Sequence, residues 1–221
     1  MAVTNQTIPK IIAILQEEYK RFQEPIVSEI AYNNGASPFK ILISTIISLR
    51  TKDAVTRDAS LKLFKSADTP EKVVKLTAKK IEELIYPAGF YKTKAITILD
   101  VCDRLIKEYD SIVPNTIDEL LKLKGVGRKT ANLVITLGYG KLGICVDTHV
   151  HRISNRFGYV RTKTPEETEF ALRDKLNKKY WILYNDLLVS YGQNLCKPIS
   201  PLCSQCRLSK YCGRIGVNKS R

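Results

Sequence analysis

Apolar residues recur every three or four positions along most of the chain, which is the spacing of a helix with one buried face. The pattern is carried by Ile11, Ile12 and Leu15; Leu61 and Phe64; Val73 and Leu76; Leu99, Cys102 and Leu105; and Ile117, Leu120 and Leu121. Thr69, Thr116 and Thr164 precede further stretches of this kind, and threonine is a favourable helix N-cap. The pattern predicts an all-α protein.

The segment Ile41–Ile47 is apolar and rich in β-branched residues, so its pattern alone fits either a buried strand or a buried helix. We find no partner strand elsewhere in the sequence, and we therefore predict a buried central helix. No linker rich in Gly, Pro or Ser divides the chain, so composition predicts no domain boundary.

The charge balance indicates an anionic partner. The 221 residues include 36 Lys and Arg against 22 Asp and Glu, which leaves a formal net charge of +14. Such an excess favours nucleic acid as the partner, although basic residues also occur simply to keep a protein soluble. The first thirty residues carry charges among their apolar positions, so they lack the uninterrupted apolar core and small-residue cleavage site of a secretory signal. The run Ile41–Leu49 is far shorter than the about 20 residues that span a bilayer. We expect an intracellular protein without a membrane partner.

One segment combines a tight glycine turn with basic residues. Residues 121–131 end one amphipathic helix, turn through Gly-x-Gly, and begin a second helix with Arg128 and Lys129. We predict a helix-hairpin-helix whose Gly125, Val126 and Gly127 leave backbone amides open to a DNA phosphate. A simple chain reversal is the alternative for the turn, and a solvated lysine is the alternative for Lys129.

Four of the six cysteines lie close together near the end of the sequence. Cys196, Cys203, Cys206 and Cys212 are separated by six, two and five residues. An intracellular chain does not favour a disulfide framework, so the crowding indicates a metal centre. Four thiolates suit either zinc or an iron–sulfur cluster, and the physics of the spacing leaves both open.

Together these motifs resemble the endonuclease III family of DNA repair enzymes. The resemblance rests on residues 89–95 (Gly-Phe-Tyr-Lys-Thr-Lys-Ala), residues 123–132 (Leu-Lys-Gly-Val-Gly-Arg-Lys-Thr-Ala-Asn), residues 146–149 (Val-Asp-Thr-His) and the cysteine spacing. It extends over roughly residues 30 to 212 in order. It implies that Lys129 is the covalent nucleophile and that Asp147 is the second catalytic residue, although an aspartate there also fits a helix cap.

The resemblance also implies the cofactor and the fold. A [4Fe-4S] cluster would be held by the four clustered cysteines. A six-helix barrel domain would span residues 31–141, and a cluster domain would combine residues 1–30 with residues 142–221. DNA would contact Gly125, Val126, Gly127, Arg128, Arg50, Phe90 and His149, with His149 in a supporting role.

Two of these positions depart from the family. Arg50 stands where glutamine is common, at the position associated with filling the gap left by an extruded nucleotide. Phe90 stands where a leucine commonly wedges between bases. An arginine or an aromatic ring can play these parts, but either change can alter which lesions are preferred.

The implied function is base excision repair by a bifunctional DNA glycosylase and abasic-site lyase. Its partner would be duplex DNA containing a damaged pyrimidine or an abasic site, and we expect a monomer. One alternative is a monofunctional glycosylase on the same scaffold, such as the adenine glycosylases, in which another residue usually replaces the lysine. The other is a DNA-binding iron–sulfur protein without catalysis. Both alternatives predict no covalent adduct between Lys129 and DNA.

Overall fold

A computed structural model describes residues 3–22, 24–33, 35 and 37–221 of the chain. The described residues form helices, turns and loops, with no β-strand among them, which confirms the predicted all-α class. The α-helices are α1 Ile8–Tyr19, α2 Ile26–Asn33, α3 Pro38–Ser48, α4 Asp53–Ser66, α5 Pro70–Val73, α6 Ala78–Ile85, α7 Tyr91–Glu108, α8 Ile117–Lys122, α9 Arg128–Leu133, α10 Thr148–Arg156, α11 Pro165–Lys175 and α12 Trp181–Asn194. A π-helix over Val134–Gly138 continues α9, and a 3₁₀ helix over Lys178–Tyr180 leads into α12.

Three helices begin where the sequence predicts caps. Thr69, Thr116 and Thr164 are the N-cap residues of α5, α8 and α11, and each side chain accepts a hydrogen bond from a backbone N–H in the first turn. Each threonine thereby satisfies an amide that has no partner within its helix. Threonine at these positions therefore explains why the helices start there.

The chain divides into two compact units, which we call the hairpin unit (residues 26–143) and the termini unit (residues 1–25 and 144–221). The sequence predicts boundaries of 31–141 for the first domain and 1–30 plus 142–221 for the second. The structure therefore assigns residues 26–30 and 142–143 to the hairpin unit. A six-helix barrel arrangement of the hairpin unit remains a prediction.

The hairpin unit is built around α3. All residues of Ile41–Ile47 are buried, and α3 packs against α2, α4, α7 and α9. Ser37 accepts a hydrogen bond from the Lys40 amide, and Pro38 begins the helix. This confirms the predicted buried central helix. Neighbouring helices cover its apolar surface, whereas a strand would have needed a sheet to do so.

The termini unit joins both ends of the sequence. Here α1 and α10 both pack against α12, and Tyr159, Tyr184 and Tyr191 are almost fully buried. After α12 the described chain, residues 195–221, contains turns and extended segments without further helix. Among the described residues, none of the helices combines the length and apolar character needed to cross a bilayer.

Candidate functional site

The predicted hairpin is present in the hairpin unit. It consists of α8, a turn through residues 123–127, and α9. Leu120, Leu123 and Val126 are buried, and the Val126 amide donates to the Leu123 carbonyl at 3.0 Å. Gly125 has φ +81°, which glycine adopts without strain. The buried apolar residues anchor the turn, and the glycine reverses its backbone.

The first turn of α9 carries the candidate nucleophile. Its N-cap is Gly127, which has no side chain to accept from the amides of the following turn. Arg128 and Lys129 are the first two residues of α9, and both are half-buried. Cations at the positive end of a helix oppose its dipole, so this composition disfavours an isolated helix and favours a bound anion. The arrangement suits a phosphate group beside an amine.

Asn132 belongs to the motif of residues 123–132, and the structure shows its contacts. It is fully buried, and its Nδ2 donates to the Arg128 carbonyl at 3.1 Å. A Cβ placed on Gly143 would lie 2.9 Å from Asn132 Oδ1, so the backbone at Gly143 passes close to this amide. Asn132 thus braces the first turn of α9, which carries Lys129.

Asp147 caps a helix in the termini unit. It is the N-cap of α10, and its Oδ1 accepts from the amides of His149 at 2.8 Å and Val150 at 2.9 Å. Its Oδ2 accepts no hydrogen bond from the part of the chain that the structure describes. The capping role is therefore present, and it occupies only one of the two carboxylate oxygens.

The two histidines have different surroundings in the same unit. His149 Nδ1 lies 3.1 Å from Arg152 Nη2, and its ring packs so closely on α12 that a Cβ on Gly192 would lie 2.4 Å from Nδ1. His151 Nδ1 lies 2.7 Å from Thr168 Oγ1. Both rings are held by neighbours on adjacent helices, which suits support of the α10 N-terminus.

Arg50 and Phe90 are adjacent in the hairpin unit although forty positions separate them in sequence. The Arg50 guanidinium carbon lies 4.9 Å from the centroid of the Phe90 ring, a cation–π contact. Both residues are exposed, Phe90 by 60%. Both also have left-handed backbones, with φ 54° and 58°. The structure therefore brings together two of the predicted DNA-contacting residues on one surface.

The four clustered cysteines line one cavity in the termini unit. Its other walls include Phe157, Tyr191, Leu195 and Leu202. Cys196, Cys203, Cys206 and Cys212 are half-buried and free of disulfides. Cys102 and Cys145 lie elsewhere and are buried. The sequence-predicted ligand set is thus gathered around one mostly apolar space.

The contacts around this cavity suit thiolates that ligate a metal centre. Arg156 Nη1 donates to Cys196 Sγ at 3.3 Å, and the Arg214 amide donates to Cys212 Sγ at 3.3 Å. Tyr191 Oη lies 3.1 Å from Cys206 Sγ. Such donors suit sulfur that carries negative charge, whereas burial raises the pKa of the Cys206 and Cys212 thiols. Metal ligation would resolve this opposition, because it removes the thiol proton.

A single tetrahedral metal ion requires its sulfur ligands to lie close together. Around one tetrahedral zinc, with Zn–S bonds of about 2.3 Å, neighbouring sulfurs would lie about 3.8 Å apart. Within the described ranges, no three His, Cys, Asp or Glu side chains are grouped closely enough for one metal ion.

Comparison with known proteins agrees with the motifs. Residues 43–178 match the model of the HhH-GPD superfamily base excision DNA repair proteins. The chain is 47% identical to endonuclease III of Thermotoga maritima over 175 residues, covering 79% of this chain and 82% of that protein. It is 43% identical to a chloroplastic endonuclease III homolog of Arabidopsis thaliana over 183 residues, covering 79% of this chain. The chain spans about half the length of that plant relative, 47%.

Two solved structures share the fold over almost the whole chain. A non-covalent complex of endonuclease III with DNA superposes with a TM-score of 0.84 at 32% identity, covering 95% of each chain. A trapped covalent intermediate of endonuclease III with DNA superposes with a TM-score of 0.83 at 31% identity, covering 95% of this chain and 96% of that one. Similarity therefore extends beyond the hairpin to both units.

Proposed function

Since the chain belongs to the endonuclease III family within the HhH-GPD superfamily, we propose that it excises oxidised pyrimidines and cleaves the abasic site through Lys129. Membership makes it a base excision repair DNA glycosylase. The observation that carries the bifunctional activity is a half-buried lysine in the first turn of α9, directly after the glycine N-cap. Its structural relative trapped as a covalent intermediate with DNA supports the same chemistry here.

The hairpin supplies the docking contact. The amides at the start of α9, with Arg128 beside them, would bind one phosphate of the DNA backbone. A net charge of +14 would draw the protein to DNA in a manner that weakens as salt increases. The damaged nucleotide then leaves the base stack, because neither the base nor its sugar C1′ is accessible inside the duplex.

Lys129 performs the covalent step. Its neutral Nζ forms a bond to C1′, and the bond from C1′ to the base breaks, so that the base leaves with the electron pair and takes up a proton. Opening of the sugar ring gives a protonated Schiff base. Loss of a C2′ proton then breaks the C3′–O bond, which nicks the strand 3′ to the lesion. Water finally hydrolyses the imine and frees the lysine.

Asp147 supports these steps by charge. A carboxylate stabilises the positive charge that develops on the sugar as the base departs, and it assists the proton transfers. Only Oδ1 takes part in the cap of α10, which leaves Oδ2 for this role. His149 would act through the orientation of the same helix start rather than by proton transfer.

We infer that Cys196, Cys203, Cys206 and Cys212 ligate a [4Fe-4S] cluster. The cluster would supply four iron–thiolate bonds that tie together a loop without regular structure. The remaining cavity lining is mostly apolar, which would shield those bonds from water. We expect the enzyme to act as a monomer in the compartment that holds the DNA.

Borohydride trapping on a duplex with an abasic site tests the nucleophile. Wild type should form a covalent adduct, Lys129→Gln should form none while still binding DNA, and Asp147→Asn should form it more slowly by a factor of about 100. Lys124→Gln is the matched control, because it removes one exposed cation from the same hairpin and should retain the adduct. An adduct in Lys129→Gln, or none in a DNA-binding wild type, would reject the Schiff-base lyase.

A further inference from the structure

Lys94 is buried in the hairpin unit although its side chain is a cation. It is the fourth residue of α7 and is 6% exposed. Its Nζ donates hydrogen bonds to the carbonyl oxygens of Ile47 at 2.6 Å and Leu49 at 2.5 Å, and to Thr51 Oγ1 at 2.8 Å. An ammonium group has three donors, so all of them are used.

The acceptors lie where α3 ends. This helix stops at Ser48, and the carbonyls of its last turn have no partner within the helix. Lys94 supplies a donor to Ile47 in that turn and to Leu49 just beyond it. Its positive charge is also favourable at the negative end of the α3 dipole. Lys94 therefore fixes the direction in which the chain leaves α3.

The same network reaches a second loop. Thr51 Oγ1 accepts from the Gly89 amide at 3.1 Å as well as from Lys94. A Cβ on Gly89 would lie 2.4 Å from the Arg50 carbonyl oxygen, so glycine is needed where the two backbone segments meet. The residue that follows Gly89 is Phe90, whose ring stacks on Arg50. One buried amine thus anchors the segments that carry both exposed side chains.

The backbone at Arg50 and Phe90 has a conformational cost. Both residues have left-handed φ angles, 54° and 58°, and neither is a glycine. Such a conformation is unfavourable for residues other than glycine and persists only where the surroundings hold it. Without the Lys94 hydrogen bonds, residues 49–51 would relax to a less strained path and the stack would separate.

A buried amine can also act as a nucleophile, and Lys94 has the environment for that role. Burial lowers the pKa of Lys94 to about 8, a shift of the kind found at catalytic amines. Its donors, however, all point at the Ile47 and Leu49 carbonyls and at Thr51, acceptors that favour the ammonium form and leave no free electron pair. The contacts therefore favour a positioning role over attack on a substrate.

We propose that Lys94 is a positioning residue that holds Arg50 and Phe90 as one preformed pair for entry into the duplex. The proposal rests on the proposed function and on the family resemblance, which implies that Arg50 fills the gap left by the extruded nucleotide and that Phe90 wedges between bases. A preformed pair loses less conformational freedom on binding than two mobile side chains would. Displacement of a positioned group by 1 Å can cost about 100-fold in rate.

The test compares trapping on an abasic site in duplex DNA with trapping on the same oligonucleotide as a single strand. A single strand has no paired stack to open and no gap to fill, so it does not need the Arg50–Phe90 pair. Lys94→Met should lower the duplex trapping rate by about tenfold or more. Its single-strand rate should stay within about twofold of wild type, which also shows that Lys129 remains correctly placed.

Two further variants separate positioning from a general loss of structure or charge. Lys92→Met removes an exposed cation two residues away and should change both rates by the same factor. Thr51→Val nearly preserves the side-chain volume but removes the shared acceptor, so it should lower the duplex rate less than Lys94→Met does. In an Arg50→Ala, Phe90→Ala background, Lys94→Met should lower the duplex rate little further, because the groups it positions are gone.

Each outcome has a distinct meaning. A selective loss on duplex DNA that disappears in the Arg50→Ala, Phe90→Ala background supports the positioning role. Equal losses on both substrates, or an undiminished loss in that background, would overturn it. Absence of any adduct in wild type on either substrate would overturn the proposed lyase, and the positioning role with it.

Discussion

The hairpin and the cysteine loop (residues 196–212) each present chemistry, but their shapes have different origins. The turn of the hairpin has a helix on each side, a threonine cap begins α8, and Leu120, Leu123 and Val126 are buried beneath the turn. The cysteine loop has no helix among its described residues. The hairpin is specified by ordinary backbone and apolar interactions, whereas the loop is held by polar contacts and, under the proposal above, by metal ligation of its cysteines.

Loss of one of the four clustered cysteines should lower stability more than any other change proposed below. Cys206→Ala should remove iron and lower the midpoint of thermal unfolding by on the order of 10 °C, because a structural metal contributes several kcal/mol to folding. Hydrogen exchange should show lost protection in the termini unit and retained protection of α3 in the hairpin unit.

Cys102→Ala is the matched control for loss of one thiol. Burial raises the pKa of Cys102 to about 12, so it remains a neutral thiol packed in α7. This variant should keep its iron and lose only about 1 kcal/mol through the small cavity left behind. Equal effects of the two alanine variants would show that the loop does not depend on a ligated metal.

Loss of a side chain that holds the cysteine loop by hydrogen bonds should lower stability less than loss of a metal ligand. Arg156 is 8% exposed, and its guanidinium donates to the Lys197 and Pro198 carbonyls, each at 2.7 Å. Arg156→Met should lower the free energy of unfolding by about 2–3 kcal/mol, because both carbonyls lose charged donors. Denaturant unfolding would measure this, with the exposed Arg161→Met as control. If the two methionine variants unfolded alike, polar contacts from α10 would not hold the loop.

The same contrast explains what sequence could predict. Helix starts at Thr116 and Thr164, the buried helix Ile41–Ile47, the fold class and the family all follow from local patterns, and the structure and comparisons confirm them. The catalytic and ligand assignments remain predictions, since each needs the chemistry to be observed.

Other features leave no local signal. In the sequence, Lys94 resembles an ordinary surface lysine. The residues next to it do not indicate that its Nζ points inward to carbonyls at the end of α3. Left-handed backbones at Arg50 and Phe90 run against the preference of their residue types, so only the tertiary network makes them persist. The π-helix after α9 likewise has no pattern that distinguishes it from α-helix.

The smallest expected effects separate the two glycines of the hairpin. Gly125 has φ +81°, and an added Cβ would lie 2.5 Å from Thr97 Cγ2. Gly125→Ala should therefore lower the free energy of unfolding by about 1–2 kcal/mol and weaken DNA binding with it. Gly127 has an extended backbone, and an added Cβ would meet nothing within 4 Å.

Gly127→Ala should change stability by less than about 0.5 kcal/mol, so it reports on the phosphate contact alone. The new methyl group would stand beside the uncapped amides of α9, where a phosphate must approach closely. DNA affinity should therefore fall, with no change in the melting temperature, and by a similar factor on damaged and undamaged duplexes because a phosphate contact reads no base. Unchanged affinity in a stable Gly127→Ala variant would mean that the hairpin only reverses the chain, and DNA docking would have to be sought elsewhere.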